Sequence, residues 1–123
     1  MSIYSSFLGI PYLHGGRTRA GVDCWGLCVL FYREALGVDL PDAKYADDGT
    51  AAAIAENMHR GFQRVEKPLP GDFVLICSGG DVPNHVGIVI NRFQFIHSMQ
   101  PHGVYVSHLR RWGRRIHGFY RKS

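Results

Sequence analysis

From Cys24 to Leu36 the apolar side chains Leu27, Leu30, Phe31 and Leu36 recur at helical spacing, and Val29 and Tyr32 widen the stripe. Asp23 just before this run is a suitable N-cap and Gly37 just after it a suitable stop, so the pattern predicts one well-bounded helix. Upstream, Ile3 to Leu8 suggests a short helix, after which Gly9, Pro11, Gly15 and Gly16 break regularity. Downstream, the alanines and Ile54 between Thr50 and Arg60 favour a second helix by propensity alone. After Pro70 the period changes to two, with β-rich runs at Asp72 to Cys77, His85 to Asn91, Phe93 to Met99, Gly103 to Leu109 and Gly118 to Arg121. Turn formers such as Ser78, Gly79, Gly80 and Asp81 separate them. Helices followed by a meander of strands predict an α+β domain built on a largely antiparallel sheet. No repeat, linker or low-complexity tract divides the chain, so residues 1–123 are expected to form one domain.

Composition narrows the function classes. A chain of 123 residues that is 46% hydrophobic is able to bury a core without metal or disulfide staples. Its three cysteines, Cys24, Cys28 and Cys77, are an odd number. Met1 to Gly9 lacks the basic start and apolar stretch of a secretory signal, so reduced thiols and cytoplasmic synthesis are expected. No apolar run reaches the roughly 18 residues of a membrane span. The net charge of +4 gathers in Arg110, Arg111, Arg114, Arg115, Arg121 and Lys122, interleaved with Trp112 and Tyr120. Such a patch raises a nucleic-acid partner as a question, but a solvated strand edge or loop explains it more simply.

The chemistry concentrates on Cys24. A helix N-terminus presents unpaired N–H groups and the positive end of the dipole, which favour a thiolate there and could also hold an oxyanion. A buried structural cysteine is the plainer reading of Cys24 alone, so its partners decide. They could come from residues 84–99. A hairpin turning around Asn91 to Phe93 with an odd loop pairs His97 with Gly87 and leaves His85 diagonal to His97 on one face, whereas an even loop sends the two histidines to opposite faces. Same-face placement would let His85 take the proton of Cys24 while His97 orients His85. A competing reading gathers Cys24, Cys28, His85 and His97 around zinc. The spacing argues against it, since structural zinc cysteines usually sit on a turn and the apolar run Leu27 to Phe31 turns Cys28 inward.

At this point the chain resembles the NlpC-type cell-wall peptidases, which are papain-like cysteine peptidases. PYLHGG at residues 11–16, VDCWGL at 22–27, PGDFVLI at 70–76, HVGIVI at 85–90 and FIHS at 95–98 are similar to the family's motifs in order and spacing. The resemblance implies a papain-like fold whose nucleophile sits at a helix N-terminus packed on a five- to six-stranded sheet. It implies Cys24 as nucleophile, His85 as general base and acid, and His97 as orienting residue. Tyr12 falls at the position of a tyrosine lining the site, and Asp23 at that of an acid which in some members holds a substrate amine. Trp25 stands where many members carry serine and His14 where an aromatic is common, so Trp25 is expected to reshape the substrate groove.

The implied activity is hydrolysis of peptidoglycan stem peptides, commonly between D-glutamate and the diamino acid, with no metal or cofactor. DCWGL followed by FYREALGVDLPD at residues 31–42 looks most like the branch found in bacteriophage tail-tip and tail-assembly proteins. Other tail proteins are then expected partners, and virion delivery to the periplasm or wall would replace secretion. The alternatives are a related cysteine amidase and a non-catalytic structural or nucleic-acid-binding tail component that keeps the fold.

Overall fold

The computed structural model describes residues 3–41 and 60–123. The second helix expected between Thr50 and Arg60 lies almost wholly outside them. A 3-10 turn at Ser5–Phe7 leads through a loop to a minimal hairpin, β1 (Arg17–Thr18) and β2 (Gly21–Val22). Helix α1 (Cys24–Leu36) follows directly. Its bounds are those the sequence dictates: the Asp23 side chain accepts from the Gly26 N–H, and Gly37 ends the helix at φ 66°, a left-handed conformation that glycine adopts without steric cost.

Six strands build one antiparallel sheet: β3 (Phe62–Val65), β4 (Phe73–Ile76), β5 (His85–Val89), β6 (Gln94–Met99), β7 (Gly103–His108) and β8 (Ile116–Lys122). Their spatial order is β3-β8-β4-β5-β6-β7. The fold is therefore α+β with a six-stranded antiparallel sheet, as the strand meander implies. Three parts depart from the sequence reading, the first being the β1–β2 hairpin, which forms in the stretch before Cys24 where no strand is expected. The β3 segment pairs with β8 at the sheet edge, although only Phe62 of its FQRV is buried. The run expected to stay extended to Leu109 instead turns into a four-residue helix, α2 (Leu109–Trp112), and a 3-10 turn at Gly113–Arg115. The Leu109 N–H donates to Phe93 O at 2.8 Å, one last bond to the β5–β6 turn before the chain coils.

The two sheet faces carry separate apolar clusters. On one, α1 packs over Val86, Ile88, Ile96 and Val104; on the other, Val74, Ile76, Val89 and Phe95 meet Leu109, Trp112 and Ile116. Every residue from Cys24 to Tyr32 is buried, because α1 is covered on more than its sheet side. Tyr4 stacks on Phe31 at 5.0 Å and Phe7 meets it edge-on at 5.4 Å. Trp25 is fully buried against Phe62 and Phe73, with its indole N–H donating to Pro41 O at 2.9 Å. The PGD turn is fastened below this layer, where Asp72 accepts two bonds from Arg121, at 2.9 and 2.7 Å, and one from the Leu69 N–H at 2.7 Å. The Tyr32 hydroxyl donates to Gly71 O in the same turn. Among the described residues no helix is long and apolar enough to cross a membrane.

Because Trp25 joins α1 to β3 and β4, Trp25→Ala should lose about 3–5 kcal/mol of stability. Urea unfolding followed by circular dichroism measures this, and Trp25→Phe should recover a large part of the loss.

Candidate active site

Cys24 is the first residue of α1 and is 5% exposed. The carboxylate beside it fixes the helix tip. Asp23 Oδ1 accepts from the Gly26 N–H at 2.7 Å and from Arg17 Nη1 at 2.9 Å, and Oδ2 accepts from the Gly15 N–H at 2.8 Å. A side chain at Gly26 would overlap the Gly16 carbonyl oxygen, so glycine there lets the preceding loop close on the first helical turn. A further bond ties this unit to the sheet, from Ser98 Oγ to Val22 O at 2.7 Å.

The sulfur meets the sheet at the start of β5. The amide N–H groups of Val86 and Trp25 both act on it and favour the thiolate. Larger effects oppose them: burial, followed by the Asp23 charge, pushes the Cys24 thiol up to about 12. This reverses the expectation drawn from the helix dipole alone. A dipole worth a fraction of a charge does not offset desolvation and an adjacent carboxylate.

The two histidines come together by strand register. Ile88 pairs with Ile96 and Val89 with Phe95, so Gly87 stands opposite His97 and His85 is diagonal to it. His85 Nε2 and His97 Nδ1 are 2.7 Å apart, with ring centroids 5.0 Å apart at 67°. A Cβ at Gly87 would lie 2.6 Å from Phe95 Cδ2 and 3.1 Å from His97 Cβ, so the missing side chain is what admits the His97 ring. Burial draws His85 down to about 4; burial and then the neighbouring His85 draw His97 down to about 3. Both shifts favour neutral rings at neutral pH.

Sequence reasoning missed Ser107. Its Oγ is 2.8 Å from His97 Nε2, extending the chain of contacts to His85–His97–Ser107. The signal was available in the alternation of GVYVSH, since β7 pairs Tyr105 with His97 and places Ser107 diagonal to it, as His85 is on the other side.

The remaining candidates separate. Tyr12 is half-buried and bridges to Val22; burial, then Cys24 and Asp23, raise its phenol above the usual range, as befits a ring beside the helix tip. Trp25 does not line a groove. Adjacent to Cys24 but about 100° further round the helix, it points into the core and has no exposed surface. His14 is exposed in the loop before β1.

The geometry does not favour zinc. The two imidazoles bond each other, Cys28 is fully buried in the core, and among the described residues no group of three His, Cys, Asp or Glu converges on a point. All three cysteines are free of disulfides.

The helix-tip sulfur is set against β5, the strand that carries one member of the histidine pair. The signature of the NlpC/P60 family matches residues 9–121, and this chain belongs to that family. It is 32% identical over 107 residues to the murein DD-endopeptidase MepS/murein LD-carboxypeptidase of Escherichia coli K12, covering 87% of this chain and 52% of that protein. It is 31% identical over 125 residues to the tail tip assembly protein K of Escherichia phage lambda, covering 94% of this chain and 61% of that protein. The chain thus spans about half to three fifths of the length of these relatives. In fold it is similar to the NlpC/p60 domain of the peptidoglycan hydrolase SagA, at a TM-score of 0.71 and 24% identity, covering 98% of this chain and 93% of that one.

The buried histidines make stability depend on pH. Their folded-state values lie below the ordinary 6.5, so between about pH 6.5 and 4 the unfolded chain binds protons that the folded chain does not. Stability is then full above this window and falls as pH drops through it, with a limiting slope of about 1.4 kcal/mol per pH unit for each histidine. Urea unfolding at pH 7, 6 and 5 should show the fall, and a flat profile would mean that the rings titrate normally.

Proposed function

We propose that this domain is a cysteine peptidase that hydrolyses stem peptides of peptidoglycan, with Cys24 as nucleophile, His85 as general base and acid, and His97 as the residue that orients His85. The observation that carries this reading is one arrangement: the Cys24 sulfur lies against the Val86 N–H, and the preceding residue, His85, has its Nε2 held by His97. That bond leaves Nδ1 as the His85 nitrogen for the thiol proton.

The raised thiol and lowered imidazole fit a concerted first step better than a preformed ion pair. His85 Nδ1 takes the proton as the sulfur attacks the peptide carbonyl, so charge appears only when substrate is present. The backbone N–H of Cys24, an orphan donor at the helix tip, is suited to the oxyanion. Collapse of the tetrahedral intermediate breaks the C–N bond, and His85 returns its proton to the departing amine. Water, giving a proton to His85, then attacks the thioester and releases the carboxylate product and the thiol. His97 keeps the His85 ring in place throughout, with Ser107 fixing His97 in turn.

Within this reading the scissile bond is that between D-glutamate and the diamino acid. Asp23 and Tyr12 lie beside the nucleophile, where a substrate amine and backbone would pass, although the Asp23 oxygens already serve the helix tip. The likeness to a phage tail tip assembly protein supports a place at a virion tail, with wall penetration or tail assembly as the task.

Cys24→Ala should abolish release of stem-peptide fragments from purified peptidoglycan, read by mass spectrometry, while the thermal transition stays cooperative; retained cleavage would reject the nucleophile. His97→Ala should lower kcat about a hundredfold. Because burial lowers His85, the acid limb of kcat/KM should fall near pH 4, where the ring gains its proton, and not near the ordinary 6.5. A limb at 6.5 would show that His85 is hydrated in the working enzyme.

A further inference from the structure

We propose that Trp112 is the cover of the histidine pair and a positioning residue for the reaction, holding the His85 ring at its working angle and keeping water from both imidazoles. This rests on the reading of His85 as the catalytic base. Trp112 ends the short helix α2, outside the sheet that carries both histidines. Its ring lies near-parallel to His85, at 6.2 Å and 25°, and meets His97 edge-on at 5.5 Å and 90°. It also packs edge-on against Phe95 at 6.0 Å. One indole thus touches both members of the pair and one wall of their pocket.

The other walls belong to the sheet. Phe95 and Tyr105 each lie 4.5 Å from the His97 ring, and Ile76 of β4 pairs with His85. Under this enclosure His97 has no exposed surface and His85 only 5%. The indole itself is only partly buried, and the Arg115 guanidinium lies 4.4 Å from its ring centroid. Trp112 is therefore the piece of the enclosure that opens outward, on an element of four residues, clasped by a cation.

The charged and titratable surroundings agree with a neutral pocket. Cys24 meets the peptide after His85 from α1, with Asp23 behind it; Tyr105 faces His97 from β7, with His102 at 5.1 Å from Tyr105; Arg115 lies over the cover. Among the described residues no carboxylate bonds either imidazole, so apolar enclosure governs the rings, and the indole is a large share of it. Removing it would hydrate the pair and also free His85 to turn about its bond to His97.

The test compares Trp112→Phe, Trp112→Leu and Trp112→Ala in the full chain. Titration of the histidine rings by NMR needs no substrate; Trp112→Ala should raise both midpoints by more than about one pH unit, toward the ordinary value. With peptidoglycan fragments as substrate, kcat should fall about tenfold or more with KM nearly unchanged, and the acid limb should move up with the NMR midpoints. Trp112→Phe should restore most of both readouts. If Trp112→Ala does not fold, Trp112→Leu decides, since the smaller side chain leaves part of the cover open and should raise both midpoints and the acid limb, by less than alanine would. Unchanged midpoints and an unchanged acid limb in the folded variant would overturn the inference. Shifted midpoints in a protein that never cleaves peptidoglycan would keep the cover and remove the peptidase.

Discussion

The Asp23 carboxylate is the constraint on which the arrangement of the site depends. It is 2% exposed, and a buried charge of this kind costs several kcal/mol unless donors surround it. Here the donors are the Gly26 N–H in the first turn of α1, the Gly15 N–H in the preceding loop and the Arg17 guanidinium at the start of the small hairpin. Loop, hairpin and helix tip are thereby fastened at one point, and Cys24 is the next residue. Ser98, bonded to Val22 O, then ties that point to the strand bearing His97. The position of the sulfur relative to the histidines follows from these bonds.

The same carboxylate has an electrostatic cost. Placed against Cys24, it joins burial in keeping the thiol protonated, against the pull of two amides and Arg17. The histidines sit in a matching regime, drawn down by burial. Burial thus favours the neutral form of all three groups, and the apolar rings about His97 are part of that burial. Membership of the NlpC/P60 family describes the scaffold; the likenesses to a murein endopeptidase and to a phage tail protein show that it is used in more than one setting.

Much of this was legible in the sequence, for identifiable reasons. Helix α1 was bounded by residues that act locally, Asp23 as cap and Gly37 as stop. The histidine pair was one of two outcomes open to the sequence, and the three-residue turn at 91–93 between β5 and β6 selects the one that puts both rings on a single face. What escaped depends on the assembled layers. The FQRV of β3 has one buried side chain and becomes a strand only because β8 offers an edge. The alternation of GVYVSHL gave no sign that the chain would coil after His108, where β7 runs out of neighbours. Trp25 was read as part of a groove because it stands where many members of the resembled family carry serine, whereas the turn of the helix carries it into the core. The sign of the thiol shift was misread for the same reason, since burial outweighs the dipole and is invisible before the chain is folded.

The burial that favours the protonated form of the Cys24 sulfur also bears on its durability. Peroxides and similar oxidants react with thiolates, and the first step toward sulfenic acid is slow for a sulfur that keeps its hydrogen and has little open surface. A sulfur held this way is guarded from oxidation by the same burial that keeps its hydrogen in place.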